Sequence, residues 1–142
     1  MSVPQNFKNH ARYVPLFHFV LGALVLANFI HVTLDLRYQT MDSVWAFVRG
    51  AALLVLYWYA RAFPVSVQDR IIRLEMRLRV QQLAPDLAAH FDQLTPGQIT
   101  ALRFAGDDEL ASLMREVLEG KLAKPSDIKQ RVQHWKPDTF RV

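Results

Sequence analysis

The sequence predicts an all-α membrane protein: a two-helix transmembrane hairpin followed by a small cytoplasmic helical lobe. Three observations carry this. Two apolar segments stand side by side in the first half of the chain. Charge is concentrated in the second half, and no segment alternates apolar and polar residues as a half-buried strand would. The 142 residues are 51% hydrophobic, and mean hydropathy is +0.05 although 21% of the residues are charged. That average conceals two unlike parts. Residues 1–65 hold five Lys/Arg and two acids, whereas residues 66–142 hold twelve basic residues and eleven acids.

The N-terminal segment, residues 1–12, is polar and assigned to the cytoplasm. From Val14 to Leu34 the chain then runs 21 residues without a formal charge. At about 1.5 Å per residue this covers about 30 Å, the thickness of a bilayer core. The first transmembrane helix is set at residues 13–36. It is read as a span and not as a cleaved leader, because the apolar run is longer than a signal h-region and a second span follows at once. That second span, residues 44–63, is interrupted only by Arg49 and Arg61. Both segments are apolar around all their faces, as lipid demands. The external loop, residues 37–43, is too short to fold by itself, so a hairpin follows.

Orientation comes from the cations beside the spans. Lys8 and Arg12 precede the first, while Arg61, Arg70, Arg73, Arg77 and Arg79 are placed in or after the end of the second; the loop has only Arg37. Both termini are therefore expected in the cytoplasm. Tyr13, Trp45, Tyr57, Trp58 and Tyr59 lie toward the span ends, where amphipathic rings favour the interface.

Residues 64–142 form the expected lobe. Pro64 is expected to end or bend the second helix at Phe63. An amphipathic helix over residues 65–83 then carries Val67, Ile71, Leu74 and Leu78 as its apolar stripe, widened by Ile72, Met76, Val80 and Leu83. Arg70, Arg73 and Arg77 form a basic ridge beside it. This helix either lies along anionic headgroups, with Arg61, Arg70, Arg73 and Arg77 as contacts, or packs into the lobe. Short helices follow. One covers Asp86–Leu94. Another begins at Thr95 with Pro96 and Gln98 as a capping box and runs to about Phe104. A third is capped by Asp107 or Asp108 and ends at Gly120; the last, Asp127–Trp135, is capped by Ser126.

The opening QNFKNHARYVPLFHF (Gln5–Phe19), the hairpin, LTPGQITALRFAGDDEL (Leu94–Leu110) and IKQRVQHWKPDTFRV (Ile128–Val142) together resemble a family of small, uncharacterised bacterial two-span membrane proteins. The resemblance covers most of the chain. It implies a protein of the bacterial inner membrane and assigns no activity.

Ionisable residues within the spans are the candidate site, since each costs about 2.5–3.5 kcal/mol to insert at mid-helix. Asn28, His31 and Asp35 share one face of the first span. If the chain turns near Thr40, Arg49 comes to the depth of His31, and an Asp35–Arg49 ion pair flanked by His31 and Asn28 is expected. Such a cluster either pins the hairpin register or handles protons, because His titrates near neutrality. His18 is turned about 140° from His31, so one chain cannot clamp a haem between them. No metal and no cofactor is expected.

Zero Cys excludes disulfides, thiolate metal sites and Cys nucleophiles. The chain has no G-x-S-x-G, H-E-x-x-H or Gly-rich phosphate loop, and its five glycines leave little for a backbone cradle. Its aromatic residues lie mostly on spans and helix stripes, which argues against nucleic acid. The function expected first is a non-enzymatic accessory, assembly or scaffold subunit, with a membrane-protein partner or a homo-oligomer. An oligomeric proton- or cofactor-handling protein using His18, His31, Asp35 and Arg49 comes second. A module that senses anionic membrane lipids comes third.

Overall fold

The computed structural model describes residues 6–7 and 13–137, and all regular structure among them is helical. Lys8, His10, Arg12 and the end of the C-terminal string, residues 138–142, lie outside the described residues. The chain divides into two compact units, Tyr13–Ser66 and a second one from Val67 onward.

In the first unit a π-helical stretch, Leu16–Leu21, leads into α1 (Gly22–Asp35) and a closing 3₁₀ turn, Leu36–Tyr38. The next helix, α2, runs Met41–Leu83. Runs Leu16–Tyr38 and Met41–Leu83 are each long and apolar enough to cross a membrane, with only 11% of the most apolar window of each buried. The connection is tighter than the 37–43 loop expected from sequence, because only Gln39 and Thr40 separate the two helical runs. Gln39 takes the left-handed conformation (φ 53°), which reverses the chain. Thr40 and Ser43 then bond reciprocally: the Ser43 N–H donates to Thr40 Oγ1 at 3.1 Å and the Thr40 N–H to Ser43 Oγ at 3.2 Å. Two orphan donors of the new helix are thereby satisfied, so it starts at Met41.

The hairpin arms meet through few side chains. Phe17 stacks on Tyr57 with ring centroids 5.0 Å apart, and Phe29 lies 5.7 Å from Phe47. Gly50 permits the closest approach. A Cβ there would sit 2.7 Å from Val32 Cγ2 and 3.3 Å from Asn28 Nδ2. Only Val25, Val32, Ser43 and Gly50 are buried in this unit, while Leu24, Ile30, Leu34, Val55, Leu56 and Trp58 point outward.

Pro64 does not end α2, contrary to the expectation from sequence. A proline inside a helix removes one hydrogen bond and costs about 3 kcal/mol. On the next turn the Ser66 hydroxyl donates to the Phe63 carbonyl at 2.9 Å. Downstream, α2 buries Ile72, Met76 and Val80. At about 1.5–3 kcal/mol for each large apolar side chain, that burial outweighs a local break.

The second unit is a small bundle around those three residues. A 3₁₀ helix (Pro85–Gln93), α3 (Pro96–Leu102), α4 (Leu110–Leu118) and α5 (Pro125–Arg131) supply Phe91, Ile99, Leu102, Leu110, Met114 and Ile128 to one core. The 3₁₀ helix packs on α4, and α3 packs on both α4 and α5. The Thr95 capping box forms as its sequence requires: Thr95 Oγ1 accepts from the Gln98 N–H at 3.3 Å, and Gln98 Oε1 from the Thr95 N–H at 2.9 Å. Gly120 adopts φ 78° and closes α4, with the Lys121 N–H bonded to the Glu116 carbonyl and the Gly120 N–H to the Val117 carbonyl. Two limits differ from expectation. Ser126 donates to Asp127 instead of capping a helix, and α5 stops at Arg131 rather than Trp135.

Truncating a fully buried side chain tests this core. Leu110→Ala should lower the unfolding free energy by about 2–5 kcal/mol, read by urea denaturation of the full chain in detergent. Gly50→Ile should separate the hairpin arms and leave the urea transition of the lobe in place.

Candidate functional site

Asn28, His31, Asp35 and Arg49 all belong to the hairpin unit, and only part of the expected cluster assembles. His31 Nε2 lies 3.4 Å from Asp35 Oδ2, one helical turn away. The His31 side chain is 73% exposed and that of Asp35 31%. Arg49 makes no ion pair with Asp35 among the described residues and is exposed. The reason is rotational. Gly50 takes the inward position against Val32 and Asn28, and the preceding residue is turned about 100° away from the contact. The depth match is retained and the facing is not. His18 is 13 residues earlier and about 20 Å along the helical run from His31. Its Nδ1 is 3.0 Å from the Val14 carbonyl, and its ring meets Tyr13 and Phe17 edge-on. A single chain therefore does not bring His18 to the other three. Among the described residues no group of three His, Cys, Asp or Glu side chains is placed to hold a metal ion.

The basic ridge of α2 is also divided. Arg73 Nη2 donates to Asp92 Oδ1 at 2.9 Å, and Arg77 bonds the same oxygen. The Arg73 hydrogen bond, with the charge of Arg77 beside it, holds the Asp92 carboxyl below its ordinary range. Arg61 and Arg70 are exposed, and neither has an ion pair among the described residues. Asp69, Arg70, Arg73, Pro96 and Ile99 line a shallow depression of about 140 Å³. The apolar stripe also departs from expectation. Ile72, Met76 and Val80 enter the core, whereas Val67, Ile71, Leu74 and Leu78 stay between 52% and 60% exposed. The choice between two apolar faces depends on where the short helices dock, which helical periodicity does not encode.

A third cluster was not foreseen as such. Asp107, Asp108 and Glu109 do not cap α4; no side-chain cap bond forms at its start. They clamp the C-terminal segment. Glu109 Oε1 accepts from the Gly106 and His134 N–H groups, and Oε2 accepts from the Gln133 N–H. Asp108 Oδ2 meets His134 Nδ1 at 2.5 Å, and Lys136 Nζ lies 3.2 Å from Asp107 Oδ1. Arg79, only 14% exposed, ties the same loop to α2 by donating to Asp107 Oδ1 at 2.8 Å and to the Ala105 carbonyl at 2.6 Å. The extended segment that ends α5 early is held here, with the Lys136 N–H on the Phe104 carbonyl at 2.8 Å and Trp135 against Phe104. Three consecutive acids opposite a His-x-Lys were the available sequence signal, although they are 26–29 residues apart.

The model of a family of unknown function, DUF6526, matches residues 1–142. The chain belongs to that family. No curated protein and no solved structure matches it. The DUF6526 match covers both units and all three clusters, so the hairpin and the lobe belong to one family unit.

The clamp has a pH signature. The hydrogen bond from Asp108 raises the pKa of His134 above 6.5, and the same contact lowers that of Asp108 below 3.8. The His134 contribution is complete below its unfolded value and fades as pH rises through the raised folded value. The Asp108 contribution is complete above its unfolded value and fades as pH falls through the lowered one. The clamp is therefore fullest between pH 3.8 and 6.5. Amide exchange of residues 132–136, corrected for intrinsic rates, should be slowest in that window, and His134→Gln should abolish the loss of protection at higher pH. Glu109→Ala, which deprives three N–H groups of their acceptor, should expose the same amides at every pH.

Proposed function

We propose that this DUF6526 chain is a non-enzymatic integral membrane protein of the bacterial inner membrane, with both termini cytoplasmic. It acts as an accessory, assembly or scaffold subunit: the hairpin packs beside partner helices, and the lobe is presented at the cytoplasmic face. The supporting observation is the outward placement of polar side chains on an otherwise apolar hairpin. His31 and Arg49 are exposed among outward-facing Leu24, Ile30, Leu34 and Leu53. In hydrocarbon such groups are costly, and membrane proteins turn them toward other protein. A hairpin that directs them away from its own interior has partners outside itself.

The arrangement also favours anchoring over chemistry. Within the hairpin unit the arms meet closely where Gly50 faces Val32 and Asn28, and the His31–Asp35 contact is open on its outer side. Exposed Arg61 supports a secondary contact with anionic headgroups.

The absence of native cysteine makes topology directly measurable. Gln39→Cys should react with a membrane-impermeant maleimide added from outside, and Ser126→Cys should react only after the membrane is opened. Release of the chain by alkaline carbonate would overturn membrane insertion. Arg49→Leu should reduce assembly on native gels by about three- to ten-fold, the effect of losing one interhelical polar contact. Unchanged assembly would remove the partner-helix role.

A further inference from the structure

We propose that the exposed apolar stripe of α2 in the lobe unit, Val67, Ile71, Leu74 and Leu78, is the seam at which a second copy of this chain packs in parallel. The proposal deepens the scaffold function by naming the partner and rests on that reading.

The two faces of this part of α2 are opposed. At about 100° per residue, Ile72, Met76 and Val80 centre roughly 170° from the stripe. The first set is 1–5% exposed and anchored in the lobe core, while the second is more than half exposed. The helix is therefore already formed and fixed before any partner arrives, and association bears no helix-nucleation cost. The stripe has the 4-3-4 spacing of a coiled-coil seam, with Ile71 and Leu78 at a and Val67 and Leu74 at d.

The flanking charges select occupant and direction. In this register Arg70 and Arg77 occupy the g positions on one side, and Gln68, Glu75 and Gln82 occupy the e positions on the other. A parallel pair sets the g residue of one copy against the e residue five positions on in the other, which joins Arg70 to Glu75 twice per dimer. An antiparallel pair sets g against g and brings arginines together. Arg70 and Glu75 form no ion pair within the chain among the described residues, so both are available. A lipid surface would satisfy Arg70 and leave Glu75 facing anionic headgroups.

The test uses the full, naturally cysteine-free chain in its membrane. Ile71→Cys, Leu74→Cys and Leu78→Cys should each give disulfide-linked dimers under mild oxidation, whereas Asp69→Cys on the opposite side should not. These substitutions are at exposed positions and leave the core intact. Arg70→Glu should lower the dimer yield of Leu74→Cys about five-fold, as two attractive pairs become repulsive, and added Glu75→Arg should restore it. Cross-linking at only one stripe position would indicate an antiparallel crossing and overturn the proposal. Cysteines that neither cross-link nor react with impermeant maleimide after the membrane is opened would assign the stripe to the bilayer. Free labelling at all three would leave it bare. If the chain appears in the soluble fraction, membrane anchoring fails while the cross-linking pattern still decides the seam.

Discussion

Burial of Ile72, Met76 and Val80 is the constraint on which the lobe depends. These side chains share one core with Phe91, Ile99, Leu102 and Met114, and each short helix contributes buried residues to it. None of the short helices is long enough to be stable alone, since isolated helices below about 12–15 residues are marginal in water. Their persistence comes from joint burial. The same burial settles the polar chemistry nearby: with this face inward, Arg79 reaches Asp107 and the Ala105 carbonyl, and Arg73 and Arg77 converge on Asp92.

The two units distribute their large apolar side chains differently. In the lobe, a core of large apolar side chains is buried beneath the exposed stripe of α2, and charged groups are paired across elements, as in Arg115–Asp86 and Arg131–Glu116. In the hairpin the arms touch through small residues and a few rings, and large apolar side chains point out. Water would penalise that surface by about 25 cal/mol for each Å² of apolar area left exposed. At the tight Gln39–Thr40 connection the Thr40–Ser43 exchange satisfies N–H groups that the start of a helix leaves unpaired.

The C-terminal clamp shows how acids near a helix start can serve another purpose. Asp107, Asp108 and Glu109 precede α4, where a carboxylate would complement the helix dipole. Their hydrogen bonds nevertheless go to Arg79, His134, Lys136 and backbone N–H groups of the returning chain. Distributed over three acids, these contacts hold residues 132–136 extended against Phe104 and connect the end of the lobe to α2.

Local signals in the sequence determined the all-helical class, the positions of the two apolar segments, the Thr95 capping box and the Gly120 stop. Each is carried by residues within a turn of one another: Thr95 with Gln98, and Gly120 with Val117. The equal depth of His31 and Arg49 was also legible, because rise per residue is constant. Tertiary structure alone decided which way these side chains face, since inserting Gly50 against Val32 turns Arg49 outward and leaves His31 with Asp35. It likewise carried α2 through Pro64, chose Ile72, Met76 and Val80 over Val67, Ile71, Leu74 and Leu78 for the core, and recruited the acids to a clamp. A helical pattern states which residues share a face. Which face is buried depends on the free energy of partners distant in the chain.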